Sequence, residues 1–135
     1  MNAVMNAQDA DDLAFYQAWV QLLEWLRAYA RDHEGVLFEK EADYPNYIYR
    51  MERPYDLPTT IMSASLSDPE GNPVLLAYAS PPHAVFKEIV VHPYESHAYR
   101  KLTYSPAQGA LVEGKRPFTQ AMLHALADEL FGVHA

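Results

Sequence analysis

The longest run of helical periodicity lies near the start of the chain. Apolar side chains between residues 13 and 30 cover roughly two-thirds of the predicted helix circumference, at about 100° per residue. A helix that packs on one sheet needs an apolar stripe only a little wider than about 100°. The surplus predicts a second buried contact, and we assign it to a flank formed by Leu22, Trp25 and Tyr29, through which two copies would form a homodimer. The alternative is a sheet that curls around the helix and buries it on nearly all sides.

Beyond Gly35, a residue suited to the end of a helix, the pattern changes to short β-prone runs. Residues 67–73 are the strongest turn signal in the chain, so residues 59–79 are predicted to form a β-hairpin. A closing helix is predicted to begin at Pro117, a residue favoured at the first helical position, and to end at Gly132. The predicted strands are 36–40, 47–51, 59–66, 74–79, 84–92, 97–104 and 110–112.

These elements predict one α+β domain over residues 1–135, with residues 1–8 as a flexible tail. Successive hairpins give an antiparallel sheet of about six strands, and the N-terminal and C-terminal helices would cover one of its faces as a second layer. The predicted core residues are Leu23, Leu26, Met62, Leu66, Leu76, Ile89, Leu102, Met122 and Leu126.

The charge balance narrows the classes of partner. Eighteen acidic and ten basic residues give a formal net charge of -8. Nucleic-acid binding needs a basic surface that neutralises phosphates, and the clustered cations here are two dipeptides, so that class is excluded. No apolar segment approaches the ~18 residues of a membrane span, and no signal peptide is evident, so a cytoplasmic, bacterial protein is expected. The acidic surface favours a basic protein partner.

The best candidate for a chemical site is the segment from His92 to His97. Both histidines and Glu95 bracket a predicted turn at 93–96, and His92 and His97 would face each other across a hairpin. Side chains that face each other across a hairpin are close enough to share a divalent metal or to act as an acid–base pair. The competing interpretation is an exposed turn with solvated side chains. Because the chain has no cysteine and no known catalytic or phosphate-binding motif, we assign no catalytic residue and no cofactor.

Tyrosine is unusually abundant, at ten of 135 residues. Its large ring and polar tip suit protein interfaces, so Tyr47 and Tyr49 join the interface candidates. Tyrosine is equally common in half-buried strands, which leaves a structural role open.

Two functions follow from these features. The first is a small acidic protein-binding module of the chaperone, adaptor or immunity-protein kind. Bacterial type III secretion chaperones are similar in size, acidity and fold class, but they place a helix in the middle of the sheet, where this chain has the 59–79 hairpin. The alternative is an enzyme or a small-ligand or metal-binding protein with its site near His92, Glu95 and His97.

Overall fold

The computed structural model describes residues 7–43, 61–81 and 84–132, with side-chain positions for all of these except 7–9 and 41–43. Within these residues, two helices flank a continuous series of strands. The elements are α1 (Ala7–Asp32), β1 (Leu37–Asp43), β2 (Ile61–Ser67), β3 (Pro73–Ala79), β4 (Ile89–Pro93), β5 (Arg100–Ser105), β6 (Ala110–Glu113), β7 (Arg116–Pro117) and α2 (Gln120–Phe131).

The strands follow one another in the sheet in chain order, and each neighbouring pair is antiparallel. The predicted hairpin is present, with Ala64 opposite Ala77. Its turn is fixed by the Asp68 carboxylate, which accepts hydrogen bonds from the backbone N–H groups of Glu70 and Asn72. The predicted α+β class with an antiparallel sheet is therefore confirmed, with seven strands in place of about six.

The boundaries differ from the prediction in identifiable places. Residues 116–117 continue the sheet as β7, and α2 begins only at Gln120, because the Thr119 side chain accepts a hydrogen bond from the backbone of Met122 and caps the helix there. Strand β4 begins at Ile89, five residues after the predicted start. Residues 7 and 8, assigned to the flexible tail, belong to α1, while residues 1–6 and the predicted strand 47–51 lie outside the described residues.

Both helices pack on one face of the sheet, around a single core. Helix α1 contacts β1 and β2 near one edge, β5 and β6 near the other, and α2 alongside it. A helix can reach both edges of a seven-stranded sheet only where the sheet curves around it. The alternative of a curled sheet therefore explains the wide apolar surface of α1.

The packing of the curved sheet and of α2 around α1 contradicts the predicted dimer interface. Leu22 and Tyr29 are fully buried inside the chain, so neither is available to a second copy. Trp25 is half-buried against the core and lines a groove of about 340 Å³ with Tyr104 and Phe118. The polar atoms of the buried α1 aromatics also have partners within the chain.

Most of the predicted core is in place. Leu23, Leu26, Leu66, Ile89 and Leu102 are buried, and Met62, Met122 and Leu126 are partly buried against the same cluster. Leu76 is the exception: it pairs with Ser65 and His92 on the face of the sheet opposite the helices. Apolar and polar residues alternate less clearly in Val74 to Ala79 than in the preceding strand, and the prediction therefore placed Leu76 on the wrong face of the sheet.

Among the residues that the structure describes, neither helix combines the length and apolar character needed to cross a bilayer.

Candidate functional site

The face of the sheet that turns away from both helices, here called the outer face, offers the first candidate surface. Residues directly opposite in an antiparallel register share a face, so the pairing defines it. Core residues Ala64, Ala77 and Val91 form one row on the helix side. The neighbouring rows lie on the outer face, and they comprise Glu39, Ser65, Leu76 and His92, and Ser63, Tyr78, Val90 and Lys101. Ser65 and Val90 are buried, so the accessible part of these rows comes from their other members.

Aromatic rings form a connected row on the outer face. The His92 ring meets Tyr99 edge-on at a centroid distance of 4.6 Å and Tyr78 at 5.9 Å. Tyr78 and Tyr99 remain 39% and 47% exposed, and Tyr94 at the adjoining turn is 54% exposed. Partly buried rings with accessible edges bind a partner with little loss of side-chain entropy, which suits a protein interface.

The phenol of Tyr78 has a perturbed acidity. Burial raises the pKa of Tyr78 above its ordinary value of 10.0, and the nearby Tyr99 and Glu88 charges raise the pKa further. The hydroxyl therefore stays protonated throughout the physiological pH range, and it can both donate and accept a hydrogen bond.

The predicted His92–Glu95–His97 site is not assembled. The β4–β5 register places Val91 opposite Arg100, so the turn is longer than predicted and Tyr99, not His97, meets the His92 ring. The Nδ1 atom of His92 lies 2.7 Å from the Pro93 carbonyl oxygen, and that of His97 lies 3.2 Å from the Tyr99 hydroxyl. Within the described part of the chain, no three histidine or acidic side chains cluster as metal ligands would.

A second candidate surface lies between β3 and β4. Val85 is 97% exposed and the adjacent Phe86 is 68% exposed. We call these two residues the apolar tip. Sequence analysis placed them in a strand and missed this surface. The signal was available, since neighbouring residues of a strand point to opposite faces and two large apolar side chains in succession leave one of them without a core.

The base of this loop is tightly bonded. Ser80 and Glu88 exchange backbone and side-chain hydrogen bonds, with the Ser80 backbone N–H donating to the Glu88 carbonyl at 3.0 Å. The Lys87 ammonium donates to the Ala84 carbonyl at 2.6 Å and lies 3.6 Å from a carboxylate oxygen of Asp12 on α1. These contacts connect the segment that carries the tip to both the sheet and the first helix.

Two of the predicted interface residues, Tyr47 and Tyr49, lie outside the described residues. Of the other three, only Trp25 has exposed surface. The exposed aromatic surface that the structure does describe comes from other tyrosines, on the outer face and at the adjoining turn, and from Phe86.

Comparison with known proteins gives a consistent result over almost the whole chain. Residues 10–134 match the model of the family described as NADH-quinone oxidoreductase chain 15. The chain is also 57% identical over 124 residues to NADH-quinone oxidoreductase subunit 15 of Thermus thermophilus, an alignment that covers 92% of this chain and 93% of the relative.

These similarities correct the functional predictions. A free chaperone, adaptor or immunity protein is wrong, because the matching proteins are described as parts of an oxidoreductase. The expectation of a protein partner agrees with that description, whereas a homodimer and a basic partner find no support in it. The match to the family model extends far beyond half of the chain and the identity with the relative is high, so the chain belongs to the NADH-quinone oxidoreductase chain 15 family.

Proposed function

We propose that this chain is a subunit of an NADH-quinone oxidoreductase and that it acts there by binding neighbouring subunits. The observation that carries the proposal is the 57% identity to subunit 15 of the Thermus thermophilus enzyme over nearly the full length of both chains. A cytoplasmic location is part of the proposal.

The outer face is the surface that we assign to this binding. It carries Tyr78, Tyr99 and His92 in one contiguous aromatic row, and neither helix covers it. Aromatic residues are enriched in the centres of protein interfaces because each buries a large area while losing few rotamers. The rows also hold an exposed acid, Glu39, and an exposed cation, Lys101, which can set the orientation of a partner.

Co-purification with the intact enzyme tests the subunit assignment. A chromosomally tagged chain is expected to elute from size-exclusion chromatography with NADH-oxidising activity and with the other subunits, in a fixed molar proportion by quantitative mass spectrometry. An untagged strain is the control for carry-over. A tagged chain that elutes wholly as a free protein, while the enzyme remains intact, would refute the proposal.

Matched substitutions test the outer face. Replacing Tyr78 and Tyr99 together by serine is expected to weaken retention on the enzyme, because two partly buried rings are lost from the interface. Replacing both by phenylalanine keeps the ring area and is expected to retain most of the binding. Equal retention of the two double variants would show that the outer face is not in the interface.

A further inference from the structure

The apolar tip of Val85 and Phe86 contains the two most exposed large apolar side chains among the described residues. Val85 is 97% exposed and Phe86 68% exposed, although neighbouring positions 87–91 progressively enter the protein interior. Single exposed apolar residues are common on protein surfaces, but two adjacent ones at the apex of a loop form a convex apolar feature.

The loop holds this feature in a defined position. The Lys87 side chain is only 8% exposed, and its ammonium donates to the Ala84 carbonyl, three residues back, and lies beside the Asp12 carboxylate. The hydrogen bonds between Ser80 and Glu88 close the base. Burying a lysine and an aspartate costs desolvation free energy. We therefore assign this ion pair to fixing the position of the segment that carries the tip, and not to stabilising the fold. A surface that is already ordered loses less entropy when it binds.

The charge around the tip indicates whether its apolar partner is a lipid surface or a pocket in a protein. Asp11 and Asp12 line the same shallow hollow as Phe86, a space of about 290 Å³ beside the start of α1. Lys87 follows the tip directly in sequence, but its ammonium is paired with Asp12, so the negative charge beside the tip comes from Asp11 and from Glu88, the next residue. Acidic side chains at this position are repelled by an anionic lipid surface, which attracts basic segments instead. A pocket in a folded protein has no such requirement.

We propose that Val85 and Phe86 are an anchor that inserts into an apolar pocket on another subunit of the oxidoreductase. This inference rests on the proposed function and adds a second contact, separate from the outer face. The convex tip fits a concave site, and the Phe86 ring supplies the large rigid side chain that typically dominates such a contact. The partner is a protein whose pocket is lined by aliphatic or aromatic side chains.

The test measures binding of the full-length chain to oxidoreductase purified from a strain that lacks it. The tip variant carries Val85→Ser and Phe86→Ser, and Ala125→Ser is the control. Ala125 is also an exposed apolar residue, but it lies on α2, away from the outer face. Helix α2 contacts the C-terminal half of α1, at Tyr29, whereas the tip lies beside the start of α1. Circular dichroism melting of each variant checks that the fold is intact, as expected for substitutions of exposed residues.

The tip variant is expected to bind at least about tenfold more weakly than the wild type, mainly through faster dissociation, because an anchor buried in an interface is lost. Ala125→Ser is expected to stay within about twofold of the wild type, as a substitution outside both proposed contacts. A Phe86→Leu variant retains an apolar side chain and is expected to fall between these limits.

Three results would overturn the inference, and they differ in what they leave standing. Wild-type affinity in the tip variant would refute the anchor but not the subunit assignment. Failure of the wild-type chain itself to bind the depleted enzyme would refute the proposed function, and the anchor with it. Binding of the wild-type chain, but not of the tip variant, to vesicles of phosphatidylcholine and phosphatidylglycerol would assign the tip to a membrane surface instead.

Discussion

Tyr29 gives the sharpest test of how α1 is used, because the same residue is either a surface contact or a core residue. In the structure its ring is fully buried and stacks on His33 at a centroid distance of 3.9 Å. Its hydroxyl donates a hydrogen bond to the Asp128 carboxylate of α2 at 2.8 Å. Burial, and then Asp128, raise the pKa of Tyr29 above its ordinary value of 10.0, so the hydroxyl remains a donor. The residue joins the two helices.

The expected magnitudes follow from these contacts. A hydrogen bond to a charged acceptor is worth about 1.5–3 kcal/mol, but the Asp128 side chain is 41% exposed and water can replace the donor, so we expect Tyr29→Phe to lower the free energy of unfolding by about 1 kcal/mol. Tyr29→Ala also removes the buried ring, and its expected cost is about 3–5 kcal/mol. Neither variant should remove a direct contact with a partner protein, because Tyr29 has no exposed surface.

Urea unfolding followed by the fluorescence of Trp19 and Trp25 measures these changes. A double-mutant cycle of Tyr29→Phe with Asp128→Ala isolates the hydrogen bond, and a coupling of about 1 kcal/mol is expected between the two substitutions. The comparison matters because Asp128 also lies 3.7 Å from His33, a contact that Tyr29→Phe leaves in place. Additive effects in the cycle would refute the hydrogen bond, whereas a Tyr29→Ala variant as stable as the wild type would refute the placement of this ring in the core.

Three further predictions concern other parts of the fold. The hydrogen bonds from Arg100 lower the pKa of Glu113 below its ordinary value of 4.5, so the stability that this pair contributes is present above pH 4.5 and is lost as the pH falls through the folded-state pKa. Glu113→Gln should therefore flatten the acid dependence of the melting temperature, and an unchanged profile would contradict this. Gly35 has a φ of +85°, and Gly35→Ala should cost about 1–2 kcal/mol in urea unfolding, unlike a substitution at a surface position of ordinary backbone geometry. His92→Ala and His97→Ala should each change the free energy of unfolding by less than about 1 kcal/mol; a larger loss would show that the turn is structurally important.

The local elements could be read from the sequence because local chemistry decides them. The hairpin formed by β2 and β3 follows from the turn residues around Asp68, whose carboxylate organises the turn within a few residues. From β2 to β7, the antiparallel order follows from short connections, which join neighbouring strands. Five of the predicted core residues are buried because apolar side chains that recur at the period of a helix or a strand lie on one side of that element, which packs against the core. The family assignment, by contrast, needed known relatives, because the sequence contains no catalytic or cofactor motif that would identify an activity.

The tertiary structure decided where each surface ends. A wide apolar helix gives the same pattern whether a partner or the rest of the chain covers it. Only the packing of the curved sheet and of α2 against α1 places Leu22 and Tyr29 inside the chain. The β4–β5 register likewise depends on pairing over the whole sheet, and it brings Tyr99 to His92 where the sequence placed His97. Periodicity fixes which side chains lie together on one element, but the packing of distant elements determines which of those faces water.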